Sequence, residues 1–195
     1  MRVTGGEFRG RILRTVDDLS VRPATDRVRQ TLFNMLVHRM DFDGLAVLDL
    51  FAGSGSLGIE ALSNGAARAV FVEGDRRAAE YIEQNLDRLG CATTGEVLHL
   101  DALRYIAQTE ERFGLVFADP PYRFAGTASL PDLIFGRQLV QDGGYLLIEH
   151  TKDLFYTESA LYTVGPVKTF GRTVVTFFTG KGSHETTDRD LPGDV

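Results

Sequence analysis

The fold is decided by the stretch LAVLDLFAGSGSLG, residues Leu45 to Gly58. Its apolar first half carries one carboxylate, Asp49, and stops at Ala52-Gly53-Ser54-Gly55-Ser56. Helical character resumes with Leu57, Ile59, Glu60, Ala61 and Leu62, and Gly65 stands where that helix would close. The pattern is a buried strand, a glycine turn and a helix. In doubly wound sheets this first crossover is where a nucleotide-like ligand rests. Glycines there let the backbone approach the ligand, and the amides at the helix start point towards it.

Two ligand classes compete for such a turn. Gly53, Gly55 and Gly58 fit the G-x-G-x-x-G fingerprint, and Glu73 follows Gly53 at the distance of a ribose-binding acid, so an NAD-linked oxidoreductase must be weighed. Asp49 argues against it. A carboxylate at the end of this strand repels a pyrophosphate and attracts an ammonium or sulfonium. S-adenosylmethionine carries both cations, which makes Asp49 and the turn residues Phe51, Gly53, Ser54 and Gly55 its expected contacts.

Around this unit the chain alternates strand and helix. Ala69 to Glu73 reads as a strand, Asp75 to Leu89 as a helix closed by Gly90, and Val97 to Leu100 as a third strand leading to Asp101. Leu115 to Ala118 is a fourth strand, followed by a helix near Pro131 to Val140, a strand at Tyr145 to Ile148, and a closing pair of strands at Leu161 to Val167 and Arg172 to Thr179. Alternation of this kind predicts a mostly parallel sheet with helices on both faces. Before the central unit, Arg22-Pro23 is read as a break, with Thr25 or Asp26 capping a helix to about Met40. Residues 1–40 are expected to form a basic arm and helix, 41–182 the catalytic domain, and 183–195 a disordered tail.

Four successive strands end with a carboxylate: Asp49, Glu73, Asp101 and Asp119. Ligands of open α/β sheets collect at these strand ends, so the four acids are expected to line one crevice. Glu73 suits the ribose hydroxyls, Asp101 with its neighbour Ala102 suits the adenine, and Asp49 faces the methionine part. Asp119-Pro120-Pro121-Tyr122 is the sharpest signal. Two prolines remove donors and stiffen the loop, leaving carbonyls and a carboxylate as fixed acceptors. An amine on a nucleobase needs such acceptors to aim its lone pair at a methyl donor, and Tyr122 offers a face on which the base stacks. Asp119, Pro120, Pro121 and Tyr122 are therefore the candidate catalytic residues.

Composition limits the remaining classes. The 195 residues carry one cysteine, no apolar run of membrane-spanning length, and four histidines without zinc spacing, so neither a disulfide framework nor a metal is expected, and the expected location of the protein is the cytoplasm. The net charge is −6, but residues 1–40 hold eight arginines against four acids, leaving a basic arm on an acidic body. Arginine rather than lysine favours bidentate phosphate contact, which nominates Arg9, Arg11, Arg22, Arg27 and Arg29 as RNA contacts.

These motifs together resemble the bacterial 16S ribosomal RNA guanine-N2 methyltransferases of the RsmD type. The resemblance rests on Gly5-Gly6, Arg9-Gly10-Arg11, the stretch from Arg22 to Arg29, Thr31 to Asn34, Asp49 to Gly55, Gly58, Glu60-Ala61-Leu62, Glu73, Asn85, Asp101 and Asp119 to Tyr122. Ala24 departs from the family's usual threonine. What the resemblance implies is a class I methyltransferase fold with seven strands and an N-terminal hairpin extension. It further implies methyl transfer from S-adenosylmethionine to the exocyclic amine of a guanine in small-subunit rRNA, in the subunit or an assembly intermediate. Methylation of adenine in DNA or glutamine in a protein would use the same turn and loop, commonly with Asn in place of Asp119. A non-catalytic assembly factor would need neither Asp119 nor Tyr122.

Overall fold

The computed structural model describes residues 1–15 and 23–182, and the side chains of 1–15 and 26–182. Arg22 and the expected tail therefore lie outside the described residues. Seven strands form one sheet in the order β3-β2-β1-β4-β5-β7-β6. They are β1 (Ala46–Leu50), β2 (Arg68–Glu73), β3 (Gly95–His99), β4 (Phe113–Ala118), β5 (Val140–Thr151), β6 (Tyr162–Phe170) and β7 (Thr173–Gly180). The first five run parallel, and β7 is antiparallel to both β5 and β6.

Near-continuous apolar sequence makes the central strands, because helices cover both of their faces. On one face Val47, Phe117, Leu147 and Phe177 pack with Leu32, Leu36, Ile59 and Ile82 from α1 (Pro23–Leu36), α2 (Ser56–Ser63) and α3 (Arg76–Leu89). On the other, Leu48, Val116 and Leu146 pack with Ile106 and Ile134 from α4 (Ala102–Gln108) and α5 (Leu130–Gly136). Each such aliphatic side chain contributes about 1.5–3 kcal/mol on full burial. The strand ends are thereby held rigid, which positions the site.

Local signals explain most boundaries. Asp75 caps α3 by accepting from the Ala78 amide at 2.8 Å, and Gly90 ends it in the left-handed region at φ 77°. Helix α1 differs from expectation: it starts at Pro23 and ends at Leu36, so Thr25 and Asp26 lie inside its first turn. Proline suits the first helical position, where its missing N–H has no partner to lose. Met40 packs on the core from beyond the helix end.

The arm is docked. Arg2 bridges Ile12, the Val3 amide donates to the Arg11 carbonyl at 3.0 Å, and Val3 and Leu13 are buried in the core shared with α1. Phe8 packs against that core. Glu60, fully buried, anchors the arm by accepting from the Thr4 amide, the Thr4 hydroxyl and the Gly5 amide at 2.6–3.0 Å. Asn85 holds the returning strand through both the amide and the carbonyl of Arg14.

Candidate active site

The glycine turn leaves β1 through Phe51, which has φ 57°, an unusual conformation for an aromatic residue and one that concentrates at functional sites. Gly55 follows at φ 72° and caps α2. Gly58 is required by contact: a Cβ there would stand 2.3 Å from Phe71 Cε1. This closeness brings the Gly58 amide to Asp49 Oδ2 at 2.9 Å. Asp49 itself is 1% exposed, one residue before the end of β1. Burial pushes its carboxyl up to about 7, the Gly58 hydrogen bond opposes that, and the charge of Glu73 adds to it.

Two amides expected to face the ligand are already used. Gly58 serves Asp49, and the Gly53 amide donates to Glu73 Oε2 at 2.6 Å. A pyrophosphate at this turn would meet two carboxylates in place of two donors, which removes the basis for a dinucleotide reading. Glu73 also accepts from the Asp75 amide at 2.7 Å, and Asp101 caps α4 by accepting from the Arg104 amide at 2.9 Å. Each carboxylate oxygen keeps a second acceptor site.

A pocket of about 830 Å³ opens at the carboxyl ends of β1, β4 and β5, a volume suited to a cofactor and a reacting base. Asp49, Phe51, Gly53 and Ser54 line it from the turn, and Asp119, Pro120, Pro121 and Tyr122 from the loop after β4. Glu73, Asp101, Ala102 and Gly55 are not among its lining residues, so the structure divides the four expected acids between the pocket and the neighbouring strand ends. Tyr122 is 68% exposed at the mouth. The Pro121 carbonyl accepts from the Phe124 amide at 2.8 Å, closing the loop on itself, and Phe124 packs on Phe51 with centroids 5.1 Å apart.

Asp119 lines the pocket and is exposed within it. Desolvation comes first among the causes that push its carboxyl well above the usual range, followed by the charges of Glu149 and Asp49. Glu149, on β5, also lines the pocket. Its carboxyl is pushed up by burial against the opposing hydrogen bond from Thr173. Sequence reasoning missed this acid, which lies inside a strand and is marked by no loop motif.

The arginines separate. Arg29 lines the pocket but is 3% exposed, and its guanidinium meets Glu60 at 2.9 Å, Asp26 at 2.8 Å and the Arg2 carbonyl. This corrects the expectation of a phosphate contact there: the side chain is a buried tie between α1, α2 and the arm. Arg11 donates to the Arg88 carbonyl at 3.0 Å, and the arm's turn bonds to Ser63, so Arg9 and Arg11 sit by the closing ends of α3 and α2, away from the pocket. Arg27 is exposed on α1. Arg172, exposed beside Gly171 in the β6–β7 turn, lines the pocket mouth.

Among the described residues no helix is long and apolar enough to cross a membrane, and no group of three or more His, Cys, Asp or Glu could hold a metal ion.

The strand order, the antiparallel β7 and the glycine turn on β1 define the class I S-adenosylmethionine methyltransferase fold, and S-adenosylmethionine is the cofactor of that class. The chain belongs to the family described as Conserved hypothetical protein 95, whose model matches residues 1–179. It is 37% identical over 190 residues to YlbH of Bacillus subtilis, covering 93% of this chain and 100% of YlbH. It is 40% identical over 159 residues to Ribosomal RNA small subunit methyltransferase D of Escherichia coli, covering 82% of this chain and 74% of that protein. The structure of yhhF from Escherichia coli superposes with a TM-score of 0.82 at 32% identity, covering 94% of this chain and 99% of that one.

Proposed function

We propose that this chain transfers a methyl group from S-adenosylmethionine to the exocyclic N2 amine of a guanine in 16S rRNA, within the small ribosomal subunit or its assembly intermediate in the cytoplasm. The observation that carries the reading is that Asp119-Pro120-Pro121-Tyr122 and the Asp49 turn open onto one pocket. Kinship with a small-subunit rRNA methyltransferase supports the choice of RNA.

The division of work follows from residue chemistry. Asp49 faces the cationic methionine part, while Glu73 and Asp101 receive the ribose and adenine through acceptor sites their backbone bonds leave free. Bound S-adenosylmethionine supplies an electrophilic methyl group. Asp119 and the Pro120 carbonyl accept from the amine and aim its lone pair, and Tyr122 stacks on the flipped base. The proton shed by the methylated nitrogen passes to a carboxylate whose affinity for protons is already raised, as at Asp119. Exposed Arg9, Arg11, Arg27 and Arg172 meet phosphates.

The test is transfer of labelled methyl to small subunits lacking their native modifications, with bare rRNA, DNA and protein alongside. Label in rRNA supports the reading. Label only in DNA or protein would retain the transfer chemistry and discard the substrate, and no label despite cofactor binding would leave an assembly factor.

A further inference from the structure

Glu149 has no part in the division of work above, although the fold brings it to the reacting end of the pocket. Strands β4 and β5 pair up to Ala118 and Ile148, which sets Asp119 and Glu149 next to each other beyond the last pair. Side chains alternate along a strand, so Asp49, Phe117, Leu147 and Glu149 share the face that α1 covers. Asp49, Asp119 and Glu149 line one pocket, with Thr173 of the neighbouring β7 on the same wall.

Three carboxylates in one pocket oppose each other's ionisation, so their grouping needs a ligand rich in cations and donors. The cofactor brings its cations to Asp49. The other two acids face the acceptor base, and the bases differ sharply in what they offer. Guanine presents two donors side by side, N1–H and N2–H, which one carboxylate can accept together. Adenine beside its amine presents a lone pair at N1, which a carboxylate repels.

We propose that Glu149 is the residue that selects guanine: its carboxylate accepts N1–H and one N2 hydrogen, while Asp119 and the Pro120 carbonyl take the other N2 hydrogen. Both amine hydrogens are then bound from opposite sides, and the ring is fixed in the orientation that points N2 at the methyl donor. The inference rests on the reading of guanine N2 as acceptor and names the group that enforces it.

The experiment compares guanine with 2-aminopurine at the methylated position of rRNA assembled into small subunits, using the wild type and Glu149→Gln. The analogue keeps the N2 amine but carries a lone pair at N1. The wild type is expected to prefer guanine by about 100-fold or more in kcat/KM, since a site that hydrogen-bonds a donor rejects the analogue lacking it. Glu149→Gln can donate to the N1 lone pair, so guanine transfer is expected to fall about 100-fold while 2-aminopurine transfer holds or rises, collapsing the preference. Unchanged S-adenosylmethionine affinity is the control for folding, and misfolding would lower both substrates equally. An unchanged preference in Glu149→Gln overturns the inference alone. Failure of the wild type to methylate guanine N2 overturns the functional reading and this inference with it.

Discussion

Replacing Asp49 by Asn should uncouple cofactor binding from pH. The carboxyl titrates at about 7 because it is buried, 1% exposed, with only the Gly58 amide to offset the loss of water. The cationic cofactor favours the ionised form, so binding below this pH must first remove a proton. With the pKa at about 7, the ionised fraction at pH 5.5 is about 3%, and affinity there should be about 30-fold weaker than at pH 8. Calorimetric titration with S-adenosylmethionine between pH 5.5 and 8 reads this slope, and repetition in buffers of different ionisation enthalpy counts the proton released near pH 7. Asp49→Asn should bind weakly with a flat profile. The sign reverses for the empty protein. A carboxyl whose folded pKa is raised binds its proton more tightly when folded, so stability declines as pH rises from about 4 to about 7. Asp49→Asn should therefore melt several degrees above the wild type at pH 8 without cofactor, the gap closing at pH 4. A flat wild-type binding profile, or a slope retained in Asp49→Asn, would rule out Asp49 as the group that meets the cofactor's cations.

Three further substitutions probe the frame around the pocket. Glu60→Ala leaves the buried Arg29 guanidinium with only Asp26 and the Arg2 carbonyl and leaves the Thr4 and Gly5 amides unpaired, and should cost about 3–5 kcal/mol, seen as a melting point lowered by roughly 10 °C and as faster tryptic cleavage of the arm. A shift under about 2 °C would contradict the anchoring role. Gly58→Ala forces a Cβ to within 2.3 Å of the fully buried Phe71 ring, so thermal denaturation should report a loss of about 1–3 kcal/mol, with weaker cofactor binding as the amide shifts from Asp49. Tyr122→Ala, at a side chain 68% exposed, should leave melting and cofactor affinity unchanged while lowering methyl transfer about 10- to 100-fold through lost stacking. Equal turnover in that variant would remove the ring from base binding.

How much of this was legible in the sequence depends on whether the cause is local. Asp49, the glycine turn, Asp75 with Gly90, and the loop from Asp119 to Tyr122 carry signals within a few residues, and the structure places each at the expected strand end or helix end. Glu149, Glu60 and Arg29 are decided by packing between segments far apart in sequence. Glu149 joins the pocket because β5 pairs with β4, a parallel neighbour reached only through α5. Arg29, nominated from the sequence as an RNA contact, pairs instead with Glu60 beneath the docked arm, and both are buried. One local signal was available and misread: Pro23, taken as a break, stands at the first position of α1.

In the proposed function the Asp119 loop and the Asp49 turn serve one reaction at guanine N2. The most direct measurement is nucleoside analysis by mass spectrometry of unmodified small subunits incubated with the protein and S-adenosylmethionine, with Asp119→Ala in parallel. The wild type is expected to yield N2-methylguanosine, and Asp119→Ala none despite near-normal cofactor binding. A methylated base other than guanosine, or undiminished product from Asp119→Ala, would contradict it.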